Sequence, residues 1–292
     1  AFARWAIDHG LGGAIVNADS MQVYRDFRIL TARPSEAEEV LAPHHLYGQV
    51  DAADLYSTGR WLSDALAAIA AIEARGRTPI LVGGTGLYFM ALTVGLADIP
   101  AADPELRAAL RERLAQRGAP ALHEELASVD AVTAARLEPN DAPRILRALE
   151  VFETTGESIT ALHAKTKPAL ARDQWRGVAL TPDRAHLYAA INARFENMLQ
   201  SGALDEVRVF AARELSPALP AMKAHGAPAL MAHLRGEISR AEAAEIGKRD
   251  TRRYAKRQFT WIANQMPNWT KISAPDLETR VTQTLAAAGL SS

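Results

Sequence analysis

The chain has 292 residues, no cysteine and a formal net charge of −1 at pH 7. Its 48% hydrophobic and 23% charged residues are typical of a globular protein and exclude disulfides, thiolate metal sites and a cysteine nucleophile. No apolar run approaches membrane-spanning length, so we expect a cytoplasmic protein with no membrane partner. The near-zero net charge excludes a global basic field, and a polyanion would have to bind to local clusters.

The first hundred residues alternate between helical and strand-like patterns. The predicted elements are, in order, a helix at 1–9, a strand at 14–17, a helix at 58–75, a strand at 78–82 and a helix from Leu87. Gly76 stops the long helix, and a glycine-rich turn at 83–86 follows the second strand. Strand, crossover helix and strand together indicate a parallel α/β sheet. His44 and His45 are adjacent rather than four residues apart, which favours a loop over a pair of metal ligands.

The middle of the chain has a different texture. Residues 101–166 are helical in pattern and lack apolar strand-like runs, with helix starts at 103–105 and at 140–143. We therefore predict two parts: an α/β core formed by 1–100 with 172–292, and an all-helical insertion at 101–171.

Three further elements are predicted after the insertion. A strand at 177–180 precedes a helix that runs towards Gly202, with Thr181 as its N-cap and Pro182 at its first position. A long, strongly charged helix follows at 239–265, and the tail after Asn268 is weakly patterned.

Asp19 directly follows the first predicted strand. Ligands of open α/β sheets bind beyond the carboxyl ends of parallel strands, and a carboxylate there can act as a general base. The alternative is that Asp19 caps a helix that starts near Met21. The residues alone leave these two interpretations even.

Other candidate residues lie in a glycine-rich turn and on basic helices. The turn at 83–86 lets backbone amides approach a ligand, and Thr85 adds a hydroxyl; a tight strand-to-helix turn is the plainer interpretation. Arg194 could pair with a diphosphate, and Arg144 with Arg147 could hold a phosphate backbone. A solvated helix face is the commoner case for all three arginines.

The densest basic cluster lies at 248–257, where six basic residues occur within ten positions. Tyr254, Phe259 and Trp261 are interleaved with it or follow it. This pattern indicates a nucleic-acid surface, with the aromatic residues serving for packing rather than base stacking.

Seven short motifs follow one another from Gly13 to about Trp261. They are NADSMQVY at 17–24, PHHL at 43–46, PILVGGTGLY at 79–88, DPELR at 103–107, PND at 139–141, RILRALEV at 144–151 and KRDTRRYAKRQ at 248–258. Taken together they resemble the tRNA dimethylallyltransferases, the isopentenyl transferases that modify tRNA. The set is specific, although no single motif is.

The resemblance implies a P-loop-NTPase-like parallel sheet flanked by helices, a nucleotide-binding (ATP-binding) class of fold, with an all-helical insertion that grips the tRNA anticodon stem-loop. It implies transfer of a dimethylallyl group from dimethylallyl diphosphate to the exocyclic amine of the adenosine 3′ to the anticodon. Such enzymes commonly flip the base into a pocket. The resemblance also implies Mg²⁺ on the diphosphate, and we expect a monomer.

The resemblance assigns roles to individual residues. Asp19 is implied as the general base, Thr85 as a channel residue near the reacting centre, and Arg194 as the residue that holds the diphosphate. The residues implied to contact tRNA are Asp19, Ser20, Met21, Gln22, Thr85, Arg107, Pro143, Arg144, Ile145, Leu146, Arg147, Lys223, Arg257 and Gln258.

Two departures from the family pattern are visible. The family begins with a strand and a phosphate loop ending in Gly-Lys-Ser or Gly-Lys-Thr, and nothing in residues 1–13 fits it. We therefore expect a sequence truncated before this point, whose 292 residues have little or no transferase activity by themselves. The second departure is MKAHG at 222–226, because the family has a bulky apolar residue near His225.

Two alternative functions remain open on the sequence. One is a kinase-like phosphotransferase on the same scaffold, which the basic helix and the paired arginines disfavour. The other is a non-catalytic tRNA-binding relative that has lost the diphosphate loop, which would bind tRNA in a salt-sensitive way without releasing diphosphate.

Overall fold

A computed structural model describes residues 7, 12–100 and 102–290 of the chain. The helix predicted at 1–9 lies outside the described residues, apart from Ile7. The chain divides into two compact units, one formed by Ala1–Ala91 with Ala171–Ser292 and the other by Leu92–Leu170.

From residue 12 onward, the first unit contains three short strands and their connecting helices. They are β1 (Ala14–Asn17), α1 (Glu36–Leu41), β2 (His44–His45), α2 (Thr58–Glu73), β3 (Pro79–Val82) and α3 (Gly86–Thr93, whose last two residues belong to the second unit). The strands form one parallel sheet in the order β2-β1-β3, and the register pairs Ile15 with His44 and with Ile80. The predicted strands at 14–17 and 78–82 and the long helix between them are confirmed.

His44 and His45 correct the sequence-based prediction of a loop. They form β2 and pair with Ile15 and Val16 on the side of β1 opposite β3. A two-residue strand is too short to show an alternating apolar pattern, so its formation depends on a partner strand distant in sequence.

The rest of the first unit is mostly helical. Its elements are a 3₁₀ turn (Arg172–Gln174), β4 (Val178–Leu180), α8 (Arg184–Gln200), α9 (Ala203–Ala211), a second 3₁₀ turn (Pro220–Lys223), α10 (Ala227–Leu234), α11 (Arg240–Gln265), β5 (Thr270–Ile272) and α12 (Leu277–Ala288). The strand predicted at 177–180 is present, but it pairs in parallel with β5 in a second, two-stranded sheet. Both β5 and α12 lie in the tail that showed little pattern in the sequence.

The helix α8 begins two residues later than the sequence predicts. The Thr181 amide donates to the carbonyl of Ile272, so Thr181 still belongs to the strand pairing. Asp183 is the N-cap instead, and its Oδ1 accepts from the amides of Ala185 and His186 at 2.9 and 3.0 Å. The prediction of Thr181 as the cap is therefore wrong.

The second unit is formed by four helices. They are α4 (Pro104–Val129, interrupted at Gly118), α5 (Ala131–Ala134), α6 (Ala142–Thr155) and α7 (Ile159–Ala164). Both predicted helix starts are confirmed: Asp103 caps α4 by accepting from the Glu105 amide, and Asp141 occupies the N-cap position of α6. A buried cluster holds the unit together, formed by Leu110, Leu122, Leu126, Ala134, Ile145, Ala148 and Leu149.

The core of the first unit fixes the carboxyl end of β1. Trp61 on α2 is fully buried and stacks on Tyr88 of α3 with ring centroids 4.1 Å apart. Its indole N–H donates to the carbonyl of Asn17 at 2.8 Å. Because a buried carbonyl needs a partner, this bond holds the last residue of β1 in place. Within the described ranges, no helix is long and apolar enough to cross a membrane.

Candidate functional site

Asn17, the last residue of β1, clamps the backbone of Asp19. Its Oδ1 accepts from the Asp19 amide at 2.8 Å, and its Nδ2 donates to the Asp19 carbonyl at 3.0 Å and to the Leu46 carbonyl at 3.1 Å. The side chain of Asn17 is fully buried, so all three bonds are shielded from water. The sequence signal for this role was an amide at the end of an apolar strand, but its partners could not be read from the sequence.

The two carboxylate oxygens of Asp19 have different surroundings. Oδ1 accepts from the amides of Met21 at 2.8 Å and Gln22 at 3.3 Å. Residues 20–23 form a turn, so the predicted helix near Met21 is absent from this described segment. Oδ2 accepts no hydrogen bond within the described residues and lies 3.9 Å from where a Cβ on Gly84 would stand. One oxygen therefore fixes the turn, and the other is free to accept a proton.

The glycine-rich loop after β3 is tied to the turn after β1. The Ser20 amide donates to Thr85 Oγ1 at 2.9 Å, and the Thr85 amide donates to the Ala18 carbonyl at 3.1 Å. A Cβ added to Gly83 would lie 2.1 Å from the carbonyl carbon of Ala18. Glycine is required at position 83 because the two backbones approach so closely.

Two side chains of α11 hold the same loop from the other side. Gln258 Nε2 donates to the Gly84 carbonyl at 2.9 Å, and the Tyr254 hydroxyl donates to the same oxygen at 3.4 Å. Gln258, a residue expected to face tRNA, is half-buried, and its amide is bonded into the loop beside Asp19. Tyr254 was expected to pack, and it also supplies a polar contact that its position on a basic helix did not indicate.

The charge of Asp19 acts on three tyrosines that are distant from it in the sequence, Tyr47, Tyr88 and Tyr254. Burial and then the Asp19 charge raise the pKa of Tyr47 to about 12. The pKa of Tyr88 is raised by burial first, then by Tyr24 and Asp19, and that of Tyr254 by burial first and then by Asp19. These phenols are therefore neutral near pH 7.

His225 adds an imidazole to these surroundings. Its ring lies 4.7 Å from that of Tyr254. Burial lowers its pKa, and Arg257 lowers it further, while Asp19 and Asp250 act in the opposite direction. The lowered pKa favours the neutral imidazole near pH 7.

Arg194 lies on α8 and is exposed. Its guanidinium makes no hydrogen bond or ion pair with any described residue. Lys223 and Arg257 are also exposed, while Ser20, Met21 and Gln22 are half-buried around the turn. The structure thus brings Asp19, Thr85 and Gln258 together and leaves the three cations on the surface.

The predicted arginines of the helical unit are engaged in ion pairs. Arg107 and Arg147 both contact Glu150, and Arg144 contacts Asp141 at 3.3 Å. Pro143 is exposed and Leu146 packs partly against the core of this unit.

Ile145 corrects one residue of the predicted RNA-contacting set. Its side chain is fully buried in the core of the helical unit. It occupies the inward face of α6, whereas Arg144 one position earlier is exposed. A contiguous motif on an amphipathic helix includes positions that face the core. The motif alone therefore predicted more RNA-contacting side chains than the helix exposes.

The parallel sheet and its flanking helices define a mixed α/β fold of the P-loop-like class. The model of the IPP transferase family matches residues 22–265, and the chain belongs to this family of enzymes.

Relatives with high identity cover most of the chain. It is 56% identical over 272 residues to the tRNA dimethylallyltransferase of Rhodopseudomonas palustris strain BisB18, covering 93% of this chain and 86% of that protein. It is 52% identical over 268 residues to the enzyme of that name from Beijerinckia indica, covering 91% and 89%.

Solved structures show the same architecture. The tRNA isopentenylpyrophosphate transferase of Bacillus halodurans has a TM-score of 0.66 and 33% identity, covering 97% of this chain and 89% of that one. A eukaryotic dimethylallyltransferase acting on tRNA has a TM-score of 0.81 and 26% identity, covering 98% and 74%.

Proposed function

We propose that this protein transfers a dimethylallyl group from dimethylallyl diphosphate to the exocyclic amine of the adenosine 3′ to the anticodon of a tRNA. The observation that carries the proposal is that the two carboxylate oxygens of Asp19 have different hydrogen-bond partners. Its Oδ1 is held by two backbone amides, and its Oδ2 accepts no hydrogen bond within the described residues. Support also comes from the relatives named tRNA dimethylallyltransferase.

The proposed reaction is a displacement at the allylic carbon of the donor. The adenine amine nitrogen forms the new C–N bond, the C–O bond to diphosphate breaks with its electron pair, and Asp19 Oδ2 takes one amine proton. A base positioned in this way contributes about 100- to 10,000-fold to such a step. Arg194 stabilises the negative charge that grows on the departing diphosphate, in keeping with its free, exposed guanidinium.

The residues around Asp19 orient the base rather than react. Asn17 and the amides of Met21 and Gln22 fix the carboxylate, and Thr85 fixes Ser20 beside it. The phenols of Tyr47 and Tyr88 are neutral near pH 7, so neither adds a charge that would compete with the carboxylate for the amine.

The proposed RNA surface consists of exposed and half-buried side chains of both units, most of them basic or polar, with each unit considered by itself. In the first unit it comprises Lys223, Arg257 and the turn at 20–22, with Gln258 next to them holding the loop. In the helical unit it comprises Arg107, Arg144 and Arg147, with Pro143 and Leu146 at the start of α6. Such contacts would make RNA binding salt-dependent.

We propose that Mg²⁺ binds mainly to the diphosphate and not to a cluster of protein side chains. Among the residues that the structure describes, no group of three or more His, Cys, Asp or Glu side chains could hold a metal ion. Mg²⁺ commonly binds through substrate phosphates and waters with few protein ligands. A cytoplasmic monomer is the proposed working state.

The test is a single-turnover incubation of the chain with dimethylallyl diphosphate, Mg²⁺ and a synthetic anticodon stem-loop, followed by mass spectrometry of the RNA. An Asp19→Asn variant should reduce the yield of modified RNA by about 100-fold or more. Asp54→Asn, at an exposed aspartate of the same unit, is the matched control and should leave the yield unchanged.

Equal yields from Asp19→Asn and the parent chain would contradict the role of Asp19. Absence of salt-sensitive binding to the stem-loop would contradict the tRNA substrate. Salt-sensitive binding with no product under any condition would favour a non-catalytic tRNA-binding protein instead.

A further inference from the structure

Glu150 on α6 is shared by two arginines of the helical unit. Its Oε1 accepts from Arg107 Nη2 at 3.1 Å and from Arg147 Nη1 at 2.5 Å. The side chain of Glu150 is 14% exposed, whereas those of Arg107 and Arg147 are 39% and 41% exposed. The carboxylate is therefore the shielded member of the trio, and both guanidinium groups extend to the surface above it.

A guanidinium has five N–H donors in a rigid plane, and one contact to Glu150 leaves most of them free. Two such groups that converge on one oxygen present their remaining donors close together. The trio carries a net charge of about +1, which matches one phosphodiester. A phosphodiester oxygen that meets both guanidinium groups gains two charge-assisted hydrogen bonds in a fixed geometry.

The helical unit has no positive field of its own to attract RNA. Residues 92–170 contain twelve acidic and nine basic residues. Any contact with a phosphate backbone therefore depends on local arrangements of arginine, and the trio is one of them.

Arg147 acts together with Arg136 on the imidazole of His163. Burial lowers the pKa of His163 first, and Arg136 and Arg147 lower it further. Both arginines thus act on the same imidazole, which stays neutral near pH 7 and does not compete for the phosphate. Arg144 differs because it pairs separately with Asp141 and is 72% exposed.

We propose that Glu150 joins Arg107 and Arg147 into one phosphodiester site and makes that site selective for a correctly folded RNA. This inference rests on the proposed function, in which the helical unit binds the anticodon stem-loop. With Glu150 in place, the two guanidinium groups are oriented and partly neutralised, so a phosphate binds well only where the RNA fold places it. Without Glu150, the two arginines move independently and bind any flexible RNA backbone.

The test measures binding of the full chain to two RNAs of identical composition, an anticodon stem-loop and an unstructured strand, by fluorescence anisotropy across a salt series. For Glu150→Gln, we expect binding to the unstructured strand to tighten about fourfold near 0.15 M salt, the effect of about one extra phosphate contact on a single strand. Its salt slope should steepen by about 0.7. The preference for the stem-loop should fall by about the same fourfold factor.

Two matched variants separate orientation from charge. Glu153→Gln, on the same helix, adds the same charge, but Arg113 remains paired with Glu125 at 2.6 Å. We expect it to keep the parent preference for the stem-loop. Glu150→Asp keeps the charge but withdraws the carboxylate by one methylene, so we expect a reduced preference without tighter binding to the unstructured strand. Thermal unfolding of each variant confirms that it is folded.

An unchanged preference in Glu150→Gln would overturn the proposal. An equal loss of stem-loop preference in Glu153→Gln would also overturn it, because the effect would then come from net charge alone. A parent-like preference in Glu150→Asp would overturn it as well. If the parent chain itself shows no preference for the stem-loop, the proposed function fails, and the phosphodiester site fails with it.

Discussion

Thr85 Oγ1 accepts a hydrogen bond from the Ser20 amide at 2.9 Å and so ties the loop after β3 to the turn after β1. The Thr85 amide makes a second link to the Ala18 carbonyl at 3.1 Å. Asp19 lies between Ala18 and Ser20 and is held on both sides by residues bonded to Thr85. The position of the proposed base therefore depends on a side chain that lies 65 residues after Ser20 in the chain.

Thr85→Val tests this link because it keeps the shape of the side chain and removes the acceptor. The Ser20 amide then loses its partner, which should cost about 1 kcal/mol of stability. We expect transfer to fall about tenfold, as the proposed base is less well oriented. Thr85→Ser keeps the acceptor and should retain most of the activity. Equal activity in the valine and parent proteins would contradict the positioning role.

Two neighbouring glycines should respond differently to alanine. In Gly83→Ala the new methyl group would stand 2.1 Å from the backbone of Ala18, which cannot move without disturbing β1. In Gly84→Ala it would stand 2.0 Å from the flexible end of Gln258. We expect Gly83→Ala to lower the unfolding temperature sharply and Gly84→Ala to lower it little while displacing the Gln258 amide. Thermal unfolding of both variants measures this, and a similar small effect in both would contradict the close approach.

Trp61→Phe removes the N–H that pairs with the Asn17 carbonyl at 2.8 Å. Because that carbonyl lies in the buried core, we expect a loss of about 2 kcal/mol in the free energy of unfolding. Trp175→Phe is the control, since the buried Trp175 Nε1 has no hydrogen-bond partner within the described residues. Urea unfolding of both variants should show the larger loss at Trp61. A loss at Trp175 as large as that at Trp61 would contradict this role of the hydrogen bond.

Because of His225, we expect the folded protein to lose stability as the pH falls. Burial and Arg257 lower its pKa in the folded chain below the ordinary value of 6.5. The unfolded chain therefore binds a proton at higher pH than the folded chain does, and stability falls as the pH drops below about 6.5. We expect His225→Asn to lose less stability than the parent between about pH 7 and about pH 5. Its control is His186→Asn at an exposed position, and equal pH profiles for parent and His225→Asn would contradict the prediction.

Local patterns in the sequence predicted much of the fold. The strands β1 and β3 and the helices α2, α4, α6 and α11 follow from apolar spacing and from caps such as Asp103 and Ser239, because these signals lie within a few residues. The strands β2 and β5 form only by pairing with distant partners, and the sequence gives no comparable local signal for them.

The sequence alone could identify Asp19, the main residue of the candidate site, but not the contacts that hold it in place. Asp19 could be singled out because it follows an apolar strand directly. The bond from Gln258 to the Gly84 carbonyl joins residues 174 positions apart, and no local pattern encodes it. The contiguous motif around α6 could not show that Ile145 points inward while Glu150 organises two arginines.

The most direct test of the role of Asp19 is recognition of the adenine amine, which does not require diphosphate binding. Anticodon stem-loops with adenosine, or with a purine that lacks the exocyclic amine, are titrated against the parent chain, Asp19→Asn and Asp54→Asn. We predict that the parent and Asp54→Asn bind the adenosine RNA about tenfold more tightly, the effect of one charge-assisted hydrogen bond. Asp19→Asn should bind both RNAs equally. Equal binding of both RNAs by the parent, or an undiminished preference in Asp19→Asn, would contradict the account.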